Sequence, residues 1–463
     1  MVFGRLKDLL SGGGGGGGGG GSRSPAAVLA AADAPASDAS SSHRRADGAA
    51  AAPSAGVNCY AGVNCYYLLT RAADPGCRPM VEATLDAVAA AGGLTVVRCW
   101  AFCDGPGQWN ALQPRPGELD ERVFRALDWL LAEAARRGLA LQLTLTNFWK
   151  DYGGMPQYVA WARAEREQGA RGGAGAVGAA APPPPPLAER GDAFFDDARA
   201  QELFRDYVRR VVTRVSTATG RPYRGDPAIH AWDLANEPRC DGDAGGGKVA
   251  RWLHETAALV KSLDPTHRVT AGLEGFFGAA SPGLAARANP YAGAGEAHGV
   301  DFARDFASPH LDFCCAHVYP NQWLPAETGA SDAARLEWAR AWVEAHAEAC
   351  RTQLGGKPLC VQEFGWAPAG PRRPALFRAV LGACARGGRA VEGAIAWAFA
   401  DPSYPDYDGY TVYPGAGRPT AEAERQGVGG RGAGGVWPDV ESLAALAEYG
   451  RGGGARCAAV APS

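Results

Sequence analysis

No stretch of this 463-residue chain approaches the roughly eighteen uninterrupted apolar residues that a membrane span requires, so it is not expected to cross a bilayer. It also lacks an excess of either charge. The formal net charge is −3, and Lys and Arg are scattered rather than gathered into runs. That excludes an electrostatic footprint for nucleic acid or for an anionic membrane surface, and it fits a neutral partner. Neither candidate for a secretory signal reads as a convincing one, which leaves localisation open: Met1–Leu10 has basic residues but no apolar core, and Pro25–Ala32 is Ala-rich and only weakly hydrophobic.

Metal-binding patterns are absent. The twelve cysteines include no CxxC pair, and His254-Glu255 has no second His at helical ligand spacing, so neither a metal nor a cofactor is expected. Scattered through a large domain, the cysteines leave their disulfide pairing open. The glycines Gly12–Gly21 lack the flanking strand and terminal Lys-Ser/Thr of a phosphate loop. Residues 1–54 hold almost no large apolar side chains and cannot offset their ordering entropy, so disorder is expected there. Gln168–Arg190, with prolines at 182–186, and the Gly-rich Ala421–Gly435 read as surface insertions in one catalytic domain spanning 55–450, followed by a tail at 451–463.

What is present is an alternation of short β-rich runs with amphipathic helices, the pattern of parallel strands joined by helical crossovers. The strand candidates are Val63–Tyr67, Thr95–Trp100, Ala140–Leu145, Ile229–Leu234, Arg268–Gly272, Phe313–His317, Pro358–Gln362 and Gly393–Ala398. A duplicated GVNCY, at Gly56–Tyr60 and Gly62–Tyr66, complicates the first; the second copy is favoured because it runs on into Tyr67-Leu68-Leu69. Val123–Arg137 lines up Phe124, Leu127, Leu130 and Leu131 on one helical face before Gly138, and Met80–Ala91 does the same with Val81, Leu85 and Val88. The count predicts an α/β fold, a (β/α)₈ TIM barrel, although an open doubly wound sheet would give similar local patterns.

In such a barrel the active site lies at the C-terminal strand ends, so the polar residues that terminate apolar runs are the ones to weigh. They are Arg98, Asn147, Asn236-Glu237, His317 with Tyr319, Glu363 and Trp397. Two carboxylates at the ends of strands four and seven suit the cleavage of an acetal, one protonating the leaving oxygen and one attacking the anomeric carbon. Arg98 is expected to hold Glu363 ionised, and burial beside a second negative charge to raise Glu237 so that it starts protonated. Asn236 suits a bond to a sugar 2-hydroxyl, and Trp397 a floor for a pyranose face. Trp109, Trp129, Trp252 and Trp338 read as packing or groove residues, and Asp406 and Asp408 as braces for the loop after strand eight.

The motifs VRCWAFCDG, NFWKDYGGMPQYVAW, AWDLANEPRC, GLEGFFG, HVYPNQW, VQEFGW and YPDYDGYTVYP resemble those of the endo-β-1,4-mannanases of glycoside hydrolase family 5, from about Gly62 to Pro414. The resemblance implies retaining hydrolysis of mannan, with Glu237 as acid/base and Glu363 as nucleophile. It sets Arg98, Asn236, His317, Tyr319 and Trp397 around the cleaved bond, and Trp100, Asn147, Glu274 and Trp323 near the sugar-binding cleft. It further implies a monomeric extracellular enzyme whose partner is a polysaccharide. The chain departs from the pattern at Phe148, where a second Asn is usual, and at Asn321, where an acidic residue is usual; both bear on substrate preference. The competing readings are a β-1,4-glucanase of the same barrel family and a non-catalytic carbohydrate-binding barrel.

Overall fold

The computed structural model describes residues 59–172, 186–415 and 438–452. The expected disordered segment at 1–54, most of the Pro-rich insertion, the Gly-rich insertion at 421–435 and nearly all of the tail lie outside the described residues.

Eight parallel strands form a nearly closed (β/α)₈ barrel. They are β1 (Tyr60–Asn64), β2 (Leu94–Trp100), β3 (Ala140–Thr144), β4 (Ile229–Asn236), β5 (Arg268–Gly272), β6 (Cys314–Val318), β7 (Leu359–Phe364) and β8 (Val391–Ala396). Neighbouring strands pair in the order β5-β4-β3-β2-β1-β8-β7-β6. The seam between β5 and β6 is bridged by single bonds rather than a ladder: Asp312 N–H donates to Val269 O at 2.8 Å, and His317 N–H to Glu274 O at 3.0 Å. The strands are buried almost end to end because one face fills the barrel and the other meets helices.

The first strand differs from expectation. β1 takes Gly62-Val63-Asn64 from the second GVNCY copy but extends backward through Tyr60 instead of forward, and Leu68–Ala72 forms a short helix, α1. Packing decides this. A Cβ at position 62 would stand 2.3 Å from Val96 O, so only glycine lets β1 close onto β2 there. Beyond Asn64 the rings of Tyr66 and Tyr67 turn to the barrel mouth, Tyr67 stacking on Tyr404 with centroids 3.7 Å apart.

The helices α2 (Arg78–Ala90) and α3 (Glu121–Arg136) form where periodicity places them, each starting two residues early. For α3 the Asp120 carboxylate accepts from Arg122 N–H at 2.9 Å and caps the first turn. After β3, α4 (Gly154–Gly172) carries its helix into the first residues of the expected insertion.

Candidate active site

Arg98 at the end of β2 is fully buried and organises the barrel mouth. Its Nε donates to Asp233 Oδ2 at 2.8 Å, Nη1 to Asn64 Oδ1 at 3.0 Å and to Glu363 Oε1 at 2.5 Å, and Nη2 to Asn236 Oδ1 at 2.9 Å. Tyr319 OH donates to the other Glu363 oxygen at 2.6 Å. Asn236 Nδ2 in turn donates to Asn147 Oδ1 at 3.1 Å. The fit is tight: a Cβ on Gly272 of β5 would lie 2.7 Å from Arg98 Nη2.

Glu237 follows β4 in the left-handed region, at φ 48°, where a non-glycine residue is strained and surrounding contacts must hold it. Those contacts are Trp149 Nε1, donating to Oε2 at 2.7 Å, and His317 Nδ1, 2.9 Å from Oε1. Ligand-capable atoms of Glu237, His317 and Glu363 all lie within 4.8 Å of one another. Among the described residues this is the grouping that suits a metal ion, yet Arg98 already places a full positive charge against Glu363.

The proton positions follow from the hydrogen-bond inventory. Gln362 Nε2 donates to Asp233 Oδ2 at 3.3 Å, which leaves Gln362 Oε1 to accept from His317 Nε2 at 3.2 Å. His317 Nε2 therefore carries a proton, and a second one lies between Nδ1 and Glu237. Burial works against an imidazolium here, but the Glu363 and Glu237 charges hold His317 above its ordinary value. Burial also pushes Glu237 up, and the His317 bond and charge, the Arg239 charge and the Trp149 bond outweigh it, leaving the carboxyl below its usual range. For Glu363, burial and the Glu237 charge prevail over His317, Arg98 and Tyr319, and the group sits above its usual range. The expected order, Glu237 raised and Glu363 lowered, is thus reversed. The physical reason is His317, whose cationic form is paired first with Glu237.

A barrel with two buried carboxylates this close at the ends of β4 and β7 has relatives. Residues 47–400 match the model of the GH family 5 β-mannosidase-like group. The chain belongs to glycoside hydrolase family 5. Mannan endo-1,4-β-mannosidase 1 of Oryza sativa subsp. japonica is 40% identical over 76% of this chain and 77% of its own. Mannan endo-1,4-β-mannosidase 2 of the same plant is 39% identical over 76% of each chain. Among solved structures, the endo-β-1,4-mannanase from Thermotoga petrophila superposes with a TM-score of 0.67 at 27% identity, covering 86% of this chain and 77% of that one.

The remaining residues named from sequence sit around this family 5 site in different ways. Trp100 is buried, with the Arg98 guanidinium 5.0 Å from its ring centroid. Trp397 donates from Nε1 to Asp408 Oδ2 at 2.9 Å and has Tyr66 stacked on one face at 5.2 Å, so at most one face is left to the cleft. Asp406 and Asp408 accept from Gly409 and Tyr410 N–H at 2.9 Å each, which braces the loop after β8. Glu274 is gripped by both ends of the Arg239 guanidinium, and burial raises it to about 7 against that cation. Trp323 is set back: only 6% exposed, it packs its ring at 5.1 Å from Phe276 and 5.9 Å from Trp342. Of the two departures from the family pattern, Phe148 is buried against Trp149, and Asn321 Nδ2 donates to Ala367 O at 3.0 Å.

Sequence reasoning missed Asp233, Gln362, Trp149 and Arg239. Asp233 and Gln362 were legible as buried polar residues inside otherwise apolar strands, since such groups persist only when hydrogen-bonded. Trp149 and Arg239 stand inside quoted motifs, but nothing in their spacing says that they face Glu237.

Proposed function

We propose that the chain hydrolyses internal β-1,4-mannosidic linkages of mannan, glucomannan or galactomannan with retained configuration, Glu363 acting as nucleophile and Glu237 as acid/base. The observation that carries this reading is the separation of the two carboxylates. Oxygens within 4.8 Å of each other leave no room for a water between the second carboxylate and the anomeric carbon, as inversion requires, and match the ~5 Å spacing of double displacement. Glu363, held by Arg98 and Tyr319, attacks the anomeric carbon while Glu237 protonates the departing oxygen. Glu237 then takes a proton from the water that releases the sugar. The first proton comes from the pair with His317: a sugar that fills the cleft removes water, and low polarity favours the neutral Glu237–His317 pair over the ionic one.

Asn236 is the group we assign to the 2-hydroxyl, the position at which mannose and glucose differ. Trp100, Asn147 and Trp397 flank that subsite; Glu274 acts through Arg239, and Trp323 supports Tyr319 from behind. A monomer acting outside the cell is the companion proposal. It is supported by the scarcity of exposed large apolar side chains among the described residues and by the family resemblance.

The test is reducing-sugar release from linear mannan, glucomannan and carboxymethylcellulose side by side, with Glu363→Ala as control. Release from the mannans that disappears in the variant is the expected result. Release from carboxymethylcellulose alone moves the chain to the glucanases, and none from any substrate leaves a non-catalytic binding barrel.

A further inference from the structure

Exposed large aromatic side chains are few among the described residues: Trp109 at 50%, Tyr407 at 55% and Tyr291 at 37%. All three stand on loops that follow strands, on the same face of the barrel as Glu237 and Glu363. Tyr291 lies on the Glu237 side, its hydroxyl bonded to His298 beside Arg239. Trp109 and Tyr407 lie on the other side, and they are not isolated.

They end a continuous aromatic wall. From Trp397, which follows β8 beside β7, the wall passes to Tyr66 at 5.2 Å in a parallel stack and on to Tyr404 at 6.4 Å, with a hydroxyl–hydroxyl bond of 3.2 Å between the two tyrosines. Tyr404 then meets Tyr407 at 5.5 Å. The Arg71 guanidinium sits 5.3 Å from the Tyr404 centroid and 5.0 Å from that of Trp109, joining the two exposed rings through one cation. Trp109 and Tyr407 nevertheless leave about half of their surface in water, apolar area that a partner could still cover favourably. The pyranose ring is a surface that suits them: its C–H face is apolar, and its rim offers hydroxyls to Arg71 and to tyrosine OH groups.

We propose that Trp109 and Tyr407, bridged by Arg71, form a distal platform that holds the mannan chain on the glycone side of the cleaved bond. This rests on the mannanase reading. The side follows from the chemistry of that reading. Glu237 serves the leaving group, so its neighbours Trp149, Arg239 and Tyr291 flank the aglycone. The wall starts instead from Trp397, whose backbone N–H donates to Phe364 O next to Glu363, the carboxylate that attacks the glycone sugar.

Isothermal titration of mannotriose and mannohexaose into the Glu363→Ala protein, with and without Trp109→Ala and Tyr407→Ala together, tests the platform. The expected result is that the parent binds the hexaose more tightly than the triose, and that the added substitutions cut this ratio by about ten-fold, or ~1.4 kcal/mol. An unchanged ratio overturns the platform while leaving the mannanase reading intact. Failure of the parent to bind either sugar overturns both.

Discussion

Trp149 is the residue whose contact with the chemistry is most direct among those that sequence alone did not single out. Its indole N–H, 2.7 Å from Glu237 Oε2, favours the charged form of that carboxyl. Replacing it with Phe keeps the ring and removes the donor. We expect kcat/KM on mannan to fall by about ten-fold, the usual scale for one charge-assisted bond, and the pH limb set by Glu237 to move to higher pH. A loss of activity with an unmoved limb would make Trp149 a packing residue only. At this scale the placement of Glu237 and Glu363 side by side was legible from strand ends, because in such a barrel the C-terminal strand ends converge on one mouth. The protonation order was not legible, since it depends on a Gln362–Asp233 bond between distant positions of the chain.

Among the elements, β1 shows what a local pattern can and cannot resolve. Two copies of one pentapeptide have the same propensity, and the choice between them, like the direction in which the strand extends, is made by fit against β2 and β8. Gly62→Ala should therefore destabilise the protein by ~1–3 kcal/mol in chemical denaturation, because the new methyl meets the Val96 carbonyl. Gly107→Ala, with nothing within 4 Å of its added carbon, should be close to neutral. Strands β2 to β8 were readable to within two residues at every end because each is a short buried run flanked by turn chemistry. The helices were readable for a similar reason, with caps such as Asp120 setting the residual error.

For the whole molecule, the informative groups are buried histidines far from each other. Burial holds His230 at about 3, and burial together with the Arg239 charge holds His298 at about 4. In the unfolded chain both titrate near 6.5. Between those values the unfolded state binds protons that the folded state refuses, so stability rises with pH and is lost as pH falls from about 6.5 toward 4. Urea midpoints across that range should show the decline, and His230→Gln should flatten it. An unchanged slope in the variant would place the acid sensitivity elsewhere.

The barrel also carries Cys65, Cys99, Cys314, Cys315 and Cys360 as free, buried thiols on or just past four of its strands. Burial pushes the Cys99 thiol up to about 12, and Cys65, Cys314 and Cys315 are raised in the same way, so almost no thiolate is present at neutral pH. An alkylating reagent consequently meets these sulfurs only when the wall around them parts. Alkylation thereby writes a time-stamped record of the protein's openings, strand by strand, with no reporter residue engineered into the chain.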